Sequence, residues 1–65
     1  MELSQTDFEI CKYLVMGKKN IEIARLLYLS EHTIKAHVSY IISAFGATNR
    51  TELAYILAKK NIIKV

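Results

Sequence analysis

Three side chains in this 65-residue sequence carry chemistry that could be nucleophilic or metal-binding: Cys11, His32 and His37. A cysteine nucleophile needs a partly exposed thiol beside a base. Cys11 instead recurs with Phe8, Leu14 and Val15 at helical spacing, on an apolar face with no histidine close in sequence. A zinc site needs three or four ligands. His32 and His37 are five positions apart, a separation that does not align two residues on one face of a helix. With only two glycines in the chain, no glycine-rich loop is available to cradle phosphate. These residues give no support to an enzyme, a metal centre or a bound cofactor.

A different chemistry is concentrated between Glu31 and Phe45. His32, Lys35, Ala36, Ser39, Tyr40 and Ser43 fall together, opposite the apolar stripe Ile34, Val38, Ile41, Ile42 and Phe45. This polar face has one strong cation, several hydrogen-bonding groups, a small residue at its centre and no carboxylate after Glu31. A helix in the major groove needs close approach, donors for base edges and freedom from phosphate repulsion. A plain solvated face is the competing reading, and the scarcity of acids weighs against it. Lys18 and Lys19 lie just before a second helix and Arg50 at the start of a fourth. Helix amino ends already favour anions, so phosphate contact is one reading and solvated cations the other. His37, at the edge of the apolar stripe, reads either as a packed boundary residue or as a phosphate donor, with the donor preferred.

The elements that must position these groups are helices. Proline is absent and glycine nearly so, which favours helices joined by short turns. Ser4 with Asp7 predicts a capping box at the start of a helix over about 5–16, stopped by Gly17. Asn20 is the expected cap of a short helix over about 21–27, with Ile23, Ala24 and Leu27 on one side. Ser30 predicts the cap of a helix over about 31–45 ended by Gly46. Asn49 with Glu52 predicts a second capping box, opening a helix to about Lys60 with Asn61 as a left-handed terminator. Only Tyr28, Leu29 and Ser30 join the second and third helices, which forces a steep crossing of the helix-turn-helix kind, although any compact helical bundle could equally contain such a pair. Small Ala24 admits a close approach there, and Leu29 is expected to pin the turn to the core.

Composition sets the outer bounds. Sixty-five residues make one domain, and a chain this short buries only roughly 60% of its unfolded surface. A 52% hydrophobic and 23% charged composition is that of a folded domain, not a disordered tail. Nine Lys and Arg against six Asp and Glu leave a net charge of +3, a modest excess compatible with a polyanionic partner. One cysteine cannot form an internal disulfide, and no apolar run approaches the ~20 residues of a membrane span. No signal-peptide layout opens the chain. The expectation is a single, cytoplasmic, mildly basic domain.

The residues Leu3-Ser4, Asp7, Glu9-Ile10, Gly17, Asn20, Glu22-Ile23-Ala24, Leu27, Leu29-Ser30, Thr33-Ile34-Lys35, His37, Ile41, Gly46, Asn49-Arg50-Thr51-Glu52 and Ile62-Ile63 together resemble the LuxR-type helix-turn-helix domain. Response regulators of the FixJ and NarL kind end in this domain, and small GerE-like regulators consist of it. The resemblance covers essentially the whole chain and is most specific from Asn20 to His37. It implies an all-α, four-helix domain that binds double-stranded DNA and regulates transcription, as a free-standing regulator or as an effector domain.

By the same resemblance, Lys35, Ala36 and Ser39 face bases, while Ser30, Thr33, His37 and the amino end of the second helix contact phosphates. With the basic and polar groups named above, the expected backbone set is Lys18, Lys19, Asn20, Ser30, Thr33, His37, Tyr40 and Arg50. The fourth helix is implied as the dimer interface, placing Leu53, Ala54, Leu57 and Ala58 near a two-fold axis. The expected partners are therefore DNA, a second copy that pairs weakly without DNA, and RNA polymerase. The chain departs from the family pattern at several positions. Lys19 replaces the usual Ser or Thr, Ile21 the common Lys or Glu, and Ala44 and Phe45 the usual Lys and Leu. Tyr13 and Leu53 are bulkier than the usual Leu and Ala, which bears directly on the dimer packing.

Overall fold

A computed structural model describes residues 3–62, and Ile63 of the pattern above lies outside them. Four helices follow in order: α1 (Gln5–Val15), α2 (Asn20–Leu27), α3 (Glu31–Ala44) and α4 (Arg50–Lys59). There is no strand among the described residues, so the all-α, four-helix architecture is as expected.

Local hydrogen bonds set the starts. The Ser4 hydroxyl accepts the Asp7 N–H at 3.1 Å while the Asp7 carboxylate takes the Ser4 N–H at 3.0 Å, a complete capping box. Ser30 accepts the Thr33 N–H at 3.0 Å, and the Asn49 side chain accepts the Glu52 N–H at 2.8 Å. Two starts differ from expectation. Lys19, not Asn20, is the cap of α2, and Glu22 reaches back to its N–H at 2.8 Å. At α4 the box is only half closed, because the Glu52 carboxylate takes the N–H of Thr48 at 2.7 Å instead of that of Asn49.

All four helices end in one way. Beyond each carboxyl end a residue turns into the left-handed region: Gly17 (φ 83°), Tyr28 (φ 58°), Gly46 (φ 67°) and Asn61 (φ 55°). The following amide then closes on a carbonyl five residues back: Lys18 on Tyr13 at 3.0 Å, Leu29 on Ala24 at 2.9 Å, Ala47 on Ile42 at 3.0 Å and Ile62 on Leu57 at 3.1 Å. This is the Schellman closure, which satisfies carbonyls the helix leaves free. Glycine and asparagine suit the conformation; Tyr28 does not, at a cost of roughly 1–2 kcal/mol.

The core is built from Ile10, Cys11 and Leu14 of α1, Ile23 and Ala24 of α2, Ile34, Val38 and Ile41 of α3, and Leu53 and Leu57 of α4. α2 packs on α3, and α1 packs on both α3 and α4. Three expectations are corrected. Phe8 is exposed and Ile10 takes the buried place, so the stripe of α1 runs through Asp7, Ile10, Cys11 and Leu14. Leu29 is exposed; the turn is held by its amide, not its side chain. Leu53 and Leu57 are fully buried in their own chain and cannot be surface residues of a dimer. Four short helices need both leucines to close the core. Of the expected strip, Ala54 is half-buried and Ala58 exposed.

Candidate nucleic-acid interface

α3 presents His32, Lys35, Ala36, Ser39, Tyr40 and Ser43 as exposed residues, while Ile34, Val38 and Ile41 anchor its other side. Ala36 carries only a methyl group, so the helix backbone can approach a flat or grooved partner most closely at that point. At the amino end of α3 the Ser30 hydroxyl donates to Thr33 Oγ1 at 2.9 Å while accepting its amide, so the two expected phosphate groups form one unit.

His37 lies deeper. Its Nδ1 is 2.7 Å from Asp7 Oδ1, and the two residues line a surface hollow with Leu3, Ser4, Ala36 and Tyr40. Asp7 is only 5% exposed, the one buried charged residue among those described. Burial pushes its carboxyl upward, but hydrogen bonds from His37 and Ser4 and the charge of His37 outweigh this and hold it below its ordinary value. Cys11 is buried nearby. Desolvation, helped by the Asp7 charge, pushes its thiol up to about 11, an inert group at neutral pH.

A second cluster forms where α1 ends and α4 begins. Lys18, Lys19, Arg50, Thr51 and Ala54 line one hollow with Leu14, Val15 and Gly17. Arg50 crosses it: one guanidinium nitrogen donates to Asn20 Oδ1 and another to the Lys18 carbonyl. Burial lowers the Arg50 pKa, yet a guanidinium remains charged. Asn20 and Arg50 thus bind each other, bracing the start of α2 against the start of α4, and Lys18 and Lys19 line the same hollow.

The expected residues therefore fall into two groups, one around α3 with Ser30, Thr33, Lys35, Ala36, His37, Ser39 and Tyr40, the other around Arg50 with Lys18, Lys19 and Asn20. Asp7 was not among them. The sequence marks it as the capping partner of Ser4, and its burial is signalled only by its place three and four residues before Ile10 and Cys11. No group of three or more His, Cys, Asp or Glu is placed to hold a metal among the described residues. No helix there is long and apolar enough to cross a membrane.

The family profile for bacterial regulatory proteins of the luxR family matches residues 1–57. The chain belongs to the luxR family. Helix-turn-helix domains of this family bind DNA, and α2, the turn and α3 are this chain's version of that element. The luxR-family domain is 41% identical over 54 residues to the transcriptional regulatory protein LnrK of Bacillus subtilis, covering 83% of this chain and 24% of LnrK. It is 33% identical over 61 residues to the uncharacterized transcriptional regulatory protein YhcZ of the same organism, covering 94% of this chain and 28% of YhcZ. To the oxygen regulatory protein NreC of Staphylococcus aureus it is 32% identical over 62 residues, covering 95% of this chain and 29% of NreC. The domain thus spans 24–29% of the length of these relatives.

Proposed function

We propose that this luxR-family domain is the DNA-reading part of a transcriptional regulator, docking with α3 in the major groove and performing no catalysis. The observation that carries the reading is the exposed face of α3: after Glu31 it holds no acid, and Ala36 opens a close approach between Lys35 and Ser39. Lys35, Ala36 and Ser39 meet base edges. Ser30, Thr33, His37, Tyr40, Lys18 and Lys19 fix register on phosphates, which positions the helix but carries no sequence information. Asn20 and Arg50 contribute through the brace between α2 and α4. The regulator works on bacterial DNA in the cytoplasm, with RNA polymerase as the further partner through which it acts.

Pairing uses α4, but not through its leucines. Thr51, Tyr55 and Ala58 are exposed at steps of four and three, a stripe opposite the buried Leu53 and Leu57. Such a stripe suits a small isologous contact between two copies, each on one half-site.

Lys35→Ala tests the docking. Specific affinity is expected to fall by about 1–3 kcal/mol, with relaxed preference at one base position. A titration showing unchanged affinity and unchanged site preference would mean that this face of α3 does not read DNA.

A further inference from the structure

The contact that ties α1 to α3 also decides which nitrogen of His37 can meet DNA. Asp7 is engaged on both oxygens: Oδ2 accepts the Ser4 N–H at 3.0 Å, and Oδ1 lies 2.7 Å from His37 Nδ1. Its carboxyl is held below the ordinary value, so at neutral pH it has no proton to give and can only accept. The hydrogen of that short bond therefore sits on His37 Nδ1. Nε2 makes no hydrogen bond within the described residues, where no buried side-chain nitrogen or oxygen lacks a partner, and so it is open to solvent. In a neutral ring with Nδ1–H, Nε2 is a bare lone pair, which repels a phosphate oxygen. Only the imidazolium presents an Nε2–H.

We propose that Asp7 is a positioning residue that makes the phosphate contact of His37 conditional on a proton at Nε2. This rests on the docking proposed above, with His37 at the DNA backbone. The proton comes from the buffer, and no bond between heavy atoms changes. Affinity then falls as pH rises through the range in which imidazole loses its charge.

The surroundings of the pair leave few other groups to interfere. From α1 come Asp7 and, behind it, Cys11, whose thiol stays neutral. The hollow adds the Tyr40 phenol and the uncharged Leu3, Ser4 and Ala36. α2 and α4 turn Ile23, Ala24, Leu53 and Leu57 to the core, and His37 is the one charge acting on Asp7 among the described residues. On α3 itself, Lys35 and His32 are exposed. His32 is a second imidazole on the exposed face of α3, so it is replaced in the measurement.

The test is single-half-site DNA affinity between about pH 6.5 and 8.5 in a His32→Gln background. Uptake of one proton weakens binding by up to about tenfold per pH unit on the alkaline side. His37→Gln, whose amide donates at every pH, is expected to be flat. Asp7→Asn is the telling variant. The Asn oxygen must still accept the Ser4 amide, which turns its NH₂ toward His37 Nδ1 and moves the ring hydrogen to Nε2. The neutral ring then donates, so this variant is expected to bind without pH dependence and more tightly than its parent at the alkaline end.

A parent that shows no slope overturns the proposal, as does a folded Asp7→Asn that keeps the full slope. Nitrogen NMR of His37 in the parent complex at about pH 7.5 covers the case of an unfolded variant: both ring nitrogens protonated is expected, and a neutral ring overturns the proposal. Lys35→Ala run alongside separates the two readings. If it weakens binding while the parent shows no slope, the proton coupling fails and the docking stands; if neither has an effect, the docking fails as well.

Discussion

Ala36→Glu is expected to abolish specific DNA binding while changing the stability of the free domain by less than about 0.5 kcal/mol. Ala36 is exposed, between Lys35 and Ser39 on the face of α3 turned away from Ile34, Val38 and Ile41. Glutamate is a good helix former, so the helix itself has no objection. In the groove the same side chain adds bulk at the point of closest approach and sets a carboxylate among phosphates. Like-charge juxtaposition across an interface costs several kcal/mol, about a hundredfold or more in affinity. That exceeds the loss from Lys35→Ala, which removes one favourable contact without adding a repulsive one. Thermal melting by circular dichroism and a DNA titration check the pair of outcomes. A variant that melts normally and binds normally would mean that α3 turns another face to DNA.

The second large effect separates the two faces of α4. Leu57→Asp is expected to unfold the domain, because Leu57 is fully buried and its replacement places a carboxylate in an apolar core. Even Leu57→Ala costs about 2–5 kcal/mol, a large part of the margin of a domain this small. Tyr55→Asp is expected to do the opposite. Tyr55 is 61% exposed, and the Lys59 ammonium lies 5.4 Å from its ring centre. A cation–π contact at an exposed site is worth about 0.5–1 kcal/mol, so the fold survives its loss. What it should lose is cooperative filling of a double site, since a carboxylate would then face its own copy across a two-fold axis. Urea unfolding and a titration on one-site and two-site DNA measure both variants. Cooperative binding that persists in folded Tyr55→Asp would place the pairing surface elsewhere.

Much of this fold is legible because its punctuation is local. Ser4, Ser30 and Asn49 cap helices with side chains that reach three residues ahead, and Gly17, Gly46 and Asn61 end them in the conformation those residues favour. Tyr28 escapes such reading: nothing in a tyrosine announces a left-handed turn, and the short link to Ser30 imposes it. The α1 stripe is misread for a related reason. Its first buried position is an acid, so the apolar pattern in the sequence begins at Phe8, one residue out of phase. Asp7 can be buried only because His37 lies 30 positions away in sequence, and that distance has no local signal. The Arg50–Asn20 brace is hidden in the same way.

In α4 the apolar residues Leu53, Ala54, Leu57 and Ala58 wrap too broad an arc to show which edge is inside. Burial separates them, with the leucines in and Ala58 out. The exposed face of α3, by contrast, follows directly from a stripe of steps of three and four.

The uniform closure of the four helices has a kinetic consequence. Each helix begins and ends on hydrogen bonds spanning at most five residues, so its limits are available to the chain before any tertiary contact forms. Chains dominated by such near-neighbour contacts fold in about microseconds to milliseconds. Asp7–His37 and the Arg50 brace are polar ties between described residues at separations of 30 to 32 residues. Their loop-closure entropy is repaid only after the core has assembled. Arg50→Ala is therefore expected to speed unfolding and leave the folding limb of a urea chevron in place; a slowed folding limb would put the brace in the transition state instead. On this account the helices assemble first, and the two cross-links beneath the surface proposed to face DNA are its final additions and the first to be released.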